Sequence, residues 1–264
     1  MNMQPIDNLI DAALWSISDI MVMTKRNLLG YLRLPQLIVF STIQPVMFVL
    51  LFAYVFGGAI QTPGFDYINY LIPGIMVQTV LFGAMMTGVG LANDIAQGMI
   101  DRFRSLPMSR AAVLAGRTIS DLCRNIFVVL LMALVGYLIG FRYQNGLGNF
   151  IGAMGLTVLF AFAFSWISAT IGLWVKNVET AQSAGFIWVF PLAFVSSIFV
   201  PVETMPSWLQ GFANNQPISA TVNAVRALSL GGPAGDWGLK ALLWIIGILI
   251  IFVPLAVRQY RKVA

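Results

Sequence analysis

The chain has no histidine, a single cysteine and few charges of either sign, and each shortage removes a class of chemistry. Without histidine there is no Ser-His-Asp or Cys-His catalysis, no HExxH zinc site and no histidine proton relay. Cys123 has no partner for a disulfide within the chain and says little about compartment. No lysine follows a glycine, so the Gly-Lys-Ser/Thr end of a phosphate-binding loop is missing and no nucleotide-binding domain is expected. None of the acidic residues falls at mid-depth of a long apolar run. That weighs against proton- or sodium-coupled transport, which needs an ionisable group or a broken-helix ion site inside the membrane.

Apolar residues fill the space: 59% of the 264 residues are apolar and 9% are charged, against about 25% charged in a typical soluble domain. A water-soluble fold has no means of covering that much apolar surface. Six runs are each long enough to cross a bilayer: Leu37 to Phe56, Tyr70 to Leu91, Leu122 to Ile139, Phe150 to Val175, Ala181 to Phe199 and Leu239 to Val257. A spanning helix needs roughly 17 to 25 mostly apolar residues. The expected fold is an all-α polytopic membrane protein forming one transmembrane domain over residues 1–264.

The net charge of +5 does not indicate nucleic acid, because the bases flank the apolar runs instead of sharing a soluble face. Lys25, Arg26 and Arg33 precede the first run. Arg102, Arg104, Arg110, Arg117 and Arg124 lie around the second-to-third connection, Lys176 follows the fourth run, and Arg258, Arg261 and Lys262 follow the last. Only Arg142, Arg226 and Lys240 fall on the other side. By the positive-inside rule both termini are expected in the cytoplasm. The first residues do not read as a removable leader, since Asp7, Asp11 and Asp19 come before the bases. Ile6, Ile10, Leu14, Ile17 and Met21 repeat at helical spacing, so residues 6–29 are expected to lie on the membrane as an interfacial helix, an anchor or a transmitter of motion.

Asp121 sits four residues from Arg117 and three from Arg124, which predicts an ion-paired triad near the surface, either structural or gating. Residues 93–107 predict a short cytoplasmic helix capped by Asn93, stopped by Pro107 and presenting Ile95, Met99, Ile100, Phe103 and Leu106 on one side. Such a ridge suits either a partner's groove or anionic headgroups. On the outer side, residues 201–230 predict two half-helices opening near Pro206 and Pro217, too short to span and too apolar for an open loop. A re-entrant hairpin fits, as a gate or as a plain cap.

The stretch Asp101-Arg102-Phe103-Arg104-Ser105-Leu106-Pro107-Met108-Ser109-Arg110, followed by Gly116-Arg117, resembles the cytoplasmic loop of ABC-2 type permeases, close to the daunorubicin/doxorubicin-resistance branch. Phe199-Val200-Pro201-Val202-Glu203-Thr204-Met205-Pro206, with Asn215-Gln216-Pro217 and Val222-Asn223-Ala224-Val225-Arg226-Ala227-Leu228, resembles the same branch, and the likeness covers essentially the whole chain.

The resemblance implies a permease subunit that is not itself an enzyme and works as a dimer of like or unlike halves above two separate ATPase subunits. ATP and Mg would belong to those partners, and this chain would hold no cofactor or metal. It implies that residues 93–107 form the coupling helix, with Asp94, Met99, Ile100, Asp101, Arg102, Phe103, Arg104, Leu106 and Pro107 meeting the ATPase, and that Pro206, Trp208, Phe212 and Pro217 close the exit. The expected place is the bacterial cytoplasmic membrane, among lipids. The cargo expected is amphipathic or lipid-like, with Gln44, Gln78, Phe82, Phe186, Phe190 and Phe194 along its path. Export of an envelope glycolipid or polysaccharide precursor is the alternative within transport, and a scaffold or channel without ATP is the alternative outside it.

Overall fold

A computed structural model describes residues 4–33, 35–58, 60, 66–104, 110–232 and 235–263. The described residues form helices joined by short connections and no strand: α1 Gln4–Arg33, α2 Pro35–Leu50 continuing as a π-helix Leu51–Phe56, α3 Tyr67–Ala96, α4 Met99–Arg104 and α5 Arg110–Ile139. There follow α6 Leu147–Val175, α7 Val178–Phe194, a 3₁₀ turn Val202–Thr204, α8 Ser207–Asn215, α9 Pro217–Leu230 and α10 Gly235–Val263.

Among the described residues, α3, α5, α6 and α10 are long and apolar enough to span a bilayer. Of the other two expected spans, Leu37 to Phe56 is helical throughout on α2 and the π-helix, and only Ala181 to Phe199 is cut short. The apolar stretch described on the first is Ile43–Phe56, and α7 ends at Phe194 instead of Phe199. Serines explain that early end: Ser196 Oγ donates to Ala193 O, and Ser197 N donates to Ser219 Oγ on α9. Each offers the backbone an alternative to the next helical bond. The third run is longer than its hydropathy, since α5 already begins at Arg110.

α3 is the hub. Its most apolar stretch is 72% buried, against 22% for α10, because α2, α5, α6, α7 and α9 all pack on it. Its closest neighbour is α6, where Gly88 meets Ser168 and Gly172 so tightly that a Cβ on either glycine would run into the opposing backbone. Small residues at such a crossing let backbones approach in the absence of a hydrophobic driving force. The core of the described residues has three parts, the smallest made of Ala220, Ala224 and Ala241. A large cluster surrounds α3 with Leu71, Ile75, Phe160, Phe164 and Val222, and a second one holds Met23, Leu91, Ile100, Leu114 and Tyr260.

The second cluster corrects the expectation for residues 93–107. Asn93 does not open a new helix; it lies in the last turn of α3, where Gln97 Nε2 donates to its side chain. The chain breaks at Gly98, whose φ of 65° is a conformation that favours glycine, and α4 then runs only six residues. Ile100, expected on the outward ridge, is 3% exposed and packs into the chain's own core. α6 and α7 are joined by Lys176 and Asn177 alone, Asn177 capping α7 by accepting from Thr180 N at 3.0 Å.

Candidate functional site

Three features are built by this fold, and the first is aromatic. Phe186, Phe190 and Phe194 recur every four residues on α7, so they stack along one face. Their ring centroids lie 5.4 and 5.6 Å apart. Phe82 of α3 meets Phe190 edge-on at 5.4 Å and Phe186 at 6.4 Å. The series continues through Phe199 to Phe52 on the π-helix, at 5.3 and 4.4 Å, and on to Phe48 and Phe56. Phe190 and Phe194 keep 41% and 45% of their surface open. The four phenylalanines expected on one path are therefore brought together. Each of the two glutamines expected there lies one turn before a member of the series: Gln44, exposed on α2, before Phe48, and Gln78, buried in α3, before Phe82.

The outer segment is the second feature. α8 and α9 open at Pro206 and Pro217 as expected. α8 turns Ala213 inward and leaves Trp208 and Phe212 78% and 52% exposed. α9 is largely buried, and from it Arg226 reaches across the fold. Its Nε and Nη2 donate to Tyr70 O at 3.2 and 3.1 Å, and Nη2 also donates to Ser197 O at 2.9 Å. Nη1 donates to Asn223 Oδ1, and the guanidinium carbon lies 3.5 Å from the centre of the Tyr70 ring. The Tyr67 and Tyr70 hydroxyls donate to Phe199 O and Ser197 O, and Gln216 Nε2 donates to Leu192 O and Val195 O. Backbone carbonyls freed where α7 stops are thus satisfied by side chains, the condition under which irregular backbone is tolerated at membrane depth. Sequence reasoning used Arg226 only for topology. A base inside an otherwise apolar helix was the available signal.

The third feature is a buried carboxylate. Asp121 accepts from Tyr31 Oη on α1 and Thr87 Oγ1 on α3, each at 2.6 Å, and Arg117 Nε lies 3.4 Å away. Three helices meet on one side chain. Arg124, expected to pair with Asp121, donates instead to Gly83 O at 2.6 Å and lies over the Tyr31 ring at 5.5 Å, since the carboxylate already holds three partners. Burial, and then the Asp121 charge, push the Tyr31 phenol up to about 12, so it remains a donor. Asp94 pairs with Arg26 of α1 at 3.5 Å, a second tie from α1 to α3.

Of the residues expected at the ATPase contact, Met99 is half-buried, Arg102 exposed and Ile100 internal. The backbone of Asp101, Phe103 and Arg104 forms the rest of α4, their side chains lying outside the described set. Leu106 and Pro107 fall within residues 105–109, outside the described residues. Among the described residues no acidic, cysteine or histidine cluster is arranged to hold a metal ion.

Four helices long and apolar enough to cross a bilayer fit a multi-pass membrane protein. The family model described as ABC-2 type transporter matches residues 18–230, and the chain belongs to that family. It is 35% identical over 238 residues to the daunorubicin resistance ABC transporter permease protein DrrB1 of Streptomyces coeruleorubidus, covering 90% of this chain and 84% of that one. It is 25% identical over 254 residues to the probable doxorubicin resistance ABC transporter permease protein DrrC of Mycobacterium tuberculosis, covering 96% and 91%. A putative transport permease of Cyanophora paradoxa, ycf38, is 24% identical over 80% of this chain and 74% of its own length. The chain is an ABC-2 permease homologous to drug-resistance ABC permeases, a transport component.

Proposed function

We propose that this chain is the membrane-spanning half of an ATP-driven exporter that moves amphipathic or lipid-like small molecules, of the drug type, out of the cytoplasm or inner leaflet. The observation that carries the reading is the unbroken, partly open ridge from Phe82 through Phe186, Phe190 and Phe194 to Phe199 and Phe52. Aromatic surfaces of this kind accept varied apolar ligands without demanding one hydrogen-bond pattern. The names of the drug-resistance relatives agree with that chemistry.

In this reading two separate ATPase subunits, holding ATP and Mg, sit beneath two permease halves in the bacterial cytoplasmic membrane, both termini facing them. The segment from Met99 through Arg102 and Phe103 to Pro107 docks on the ATPase, while α1 rests on the membrane beside it. ATP binding favours one arrangement of the two halves and hydrolysis releases it; a ligand shifts such an equilibrium only by its differential affinity for the two states. α8 and α9 form the outer hairpin, with Trp208 and Phe212 closing the exit.

The test is to purify the chain with candidate ATPases and measure hydrolysis while adding amphipathic aromatic compounds. The reading expects stable association and compound-dependent stimulation. Replacing both Phe190 and Phe194 with Ala should change which compounds stimulate, with ATPase association retained, and Phe103→Asp should abolish association. No stimulation by any amphipath, or full coupling in the Phe103→Asp protein, would remove the proposal.

A further inference from the structure

An apolar trough of about 330 Å³ lies between α1 and α5, and nothing in the transport reading uses it. α1 supplies Ile20, Met21, Leu28 and Leu29, and α5 supplies Ile119. Thr24 adds no polarity, because its hydroxyl is turned onto Ile20 O at 2.8 Å. One cation stands at the trough: Lys25, exposed and without an ion-pair partner among the described residues. Two acids that contact α1 are already paired, Asp94 with Arg26 and Asp121 with Arg117. An apolar slot with a spare ammonium complements a molecule that has a long apolar tail and an anionic head.

Direction and length decide which molecule. Thr24 lies on Gly116 and Tyr31 on Asp121, so α1 and α5 run the same way and Lys25 sits toward the start of α5. Beyond Ile119 the same helix exposes Ile126, Phe127 and Leu130 by 42%, 52% and 54%. The rise from Ile119 to Leu130 is about 16 Å at 1.5 Å per residue, close to the roughly 15 Å of one leaflet's hydrocarbon. A soluble partner has no access to that surface within a spanning helix. A fatty acyl chain follows it for its whole length.

We propose that this trough is a binding site for one anionic phospholipid of the inner leaflet, its phosphate on the Lys25 ammonium and one acyl chain along Leu28, Leu29 and Ile119. The site rests on α5 being a membrane span and on the proposed orientation; it does not depend on what the protein exports.

The full chain, purified in mild detergent, is offered phosphatidylglycerol or phosphatidylcholine and the retained lipid counted by native mass spectrometry. Helicity by circular dichroism and the size-exclusion profile confirm that each variant is folded. Wild type should retain phosphatidylglycerol about fivefold better, the worth of one lysine beside an anionic surface. Lys25→Arg should keep that preference, and Lys25→Glu and Lys25→Gln should lose it. Ile119→Trp, which fills the trough, should reduce retention of both lipids. Equal retention of the two lipids by wild type, an unchanged preference in both Lys25→Glu and Lys25→Gln, or full retention by Ile119→Trp would overturn the site. The assay uses neither ATPase nor transport, so its failure leaves the exporter reading untouched.

Discussion

At one end of the bundle, the inner one in the proposed orientation, one carboxylate gathers partners from three helices, whereas at the other, the outer one, one guanidinium gathers carbonyls from three segments. Asp121 is held by side chains, Tyr31, Thr87 and Arg117, each on a regular helix. Arg226 is held mainly by backbone, Tyr70 O at the start of α3 and Ser197 O where α7 has already ended. The inner cluster fastens finished helices together. The outer one completes a segment whose own hydrogen bonding is incomplete, so the same loss should have different consequences at the two ends.

Asp121→Ala should be the most damaging single change, because it leaves Arg117 buried without its counter-charge. Breaking a buried pair from one side costs about 3 to 5 kcal/mol. Thermal unfolding in detergent should show the loss, and Asp121→Ala with Arg117→Met should recover part of it. If the double variant is no better than the single one, the inner cluster is not governed by charge pairing.

Arg226→Ala should cost somewhat less, about 2 to 3 kcal/mol, in the range of hydrogen bonds made by a charged group. Its signature should be local. Hydrogen exchange should rise at residues 195–201 and in α9 while α5 stays protected, and Arg226→Lys should fall between, since an ammonium cannot donate as a fork. Uniform exchange across the bundle would erase the contrast between the two ends.

Tyr31→Phe removes one of the two hydrogen-bond donors to Asp121 and should cost about 1.5 kcal/mol. The wild-type phenol gives the cluster a pH limit. Its pKa is raised from 10.0 to about 12, so its contribution is complete below pH 10 and fades as pH rises through the higher value. Tyr31→Phe should flatten the alkaline part of a stability profile, and an identical profile would place the limit elsewhere.

Replacing Trp208 and Phe212 with Ala should change stability least, by under about 0.5 kcal/mol, the usual range for surface sites. Both side chains are more than half exposed. An effect on export with none on unfolding would mark α8 as the gate, and normal export would mark it as a cap.

The contrast between the ends also measures what could be read from the sequence. Hydropathy located the long helices and the i,i+4 spacing located Arg117 on Asp121, because both signals are local. Pro206 and Pro217 marked the starts of α8 and α9 for the same reason. Tyr31 and Thr87 carry no such mark: they reach Asp121 across 90 and 34 residues of chain. The bonds of Arg226 to Tyr70 span 156 residues, and the end of α7 depends on Ser219 of another helix. Ile100 fits an outward ridge by periodicity alone, yet it is buried in a cluster that also holds Met23 and Tyr260, from opposite ends of the chain. Periodicity tells which residues share a face, not what that face meets.

The connection between α6 and α7 has a mechanical side. Two residues leave little slack for α7 to slide along α6, so any displacement of α7 would take the form of a swing about Lys176. α7 has 17 residues, an arm of about 25 Å at 1.5 Å per residue. A swing of about 10° then displaces Phe194 by roughly 4 Å while Ala181 moves by under about 1.5 Å. In such a swing the ridge of phenylalanines would be graded by leverage, displaced less at Phe186 and most at Phe194, where it meets Phe199.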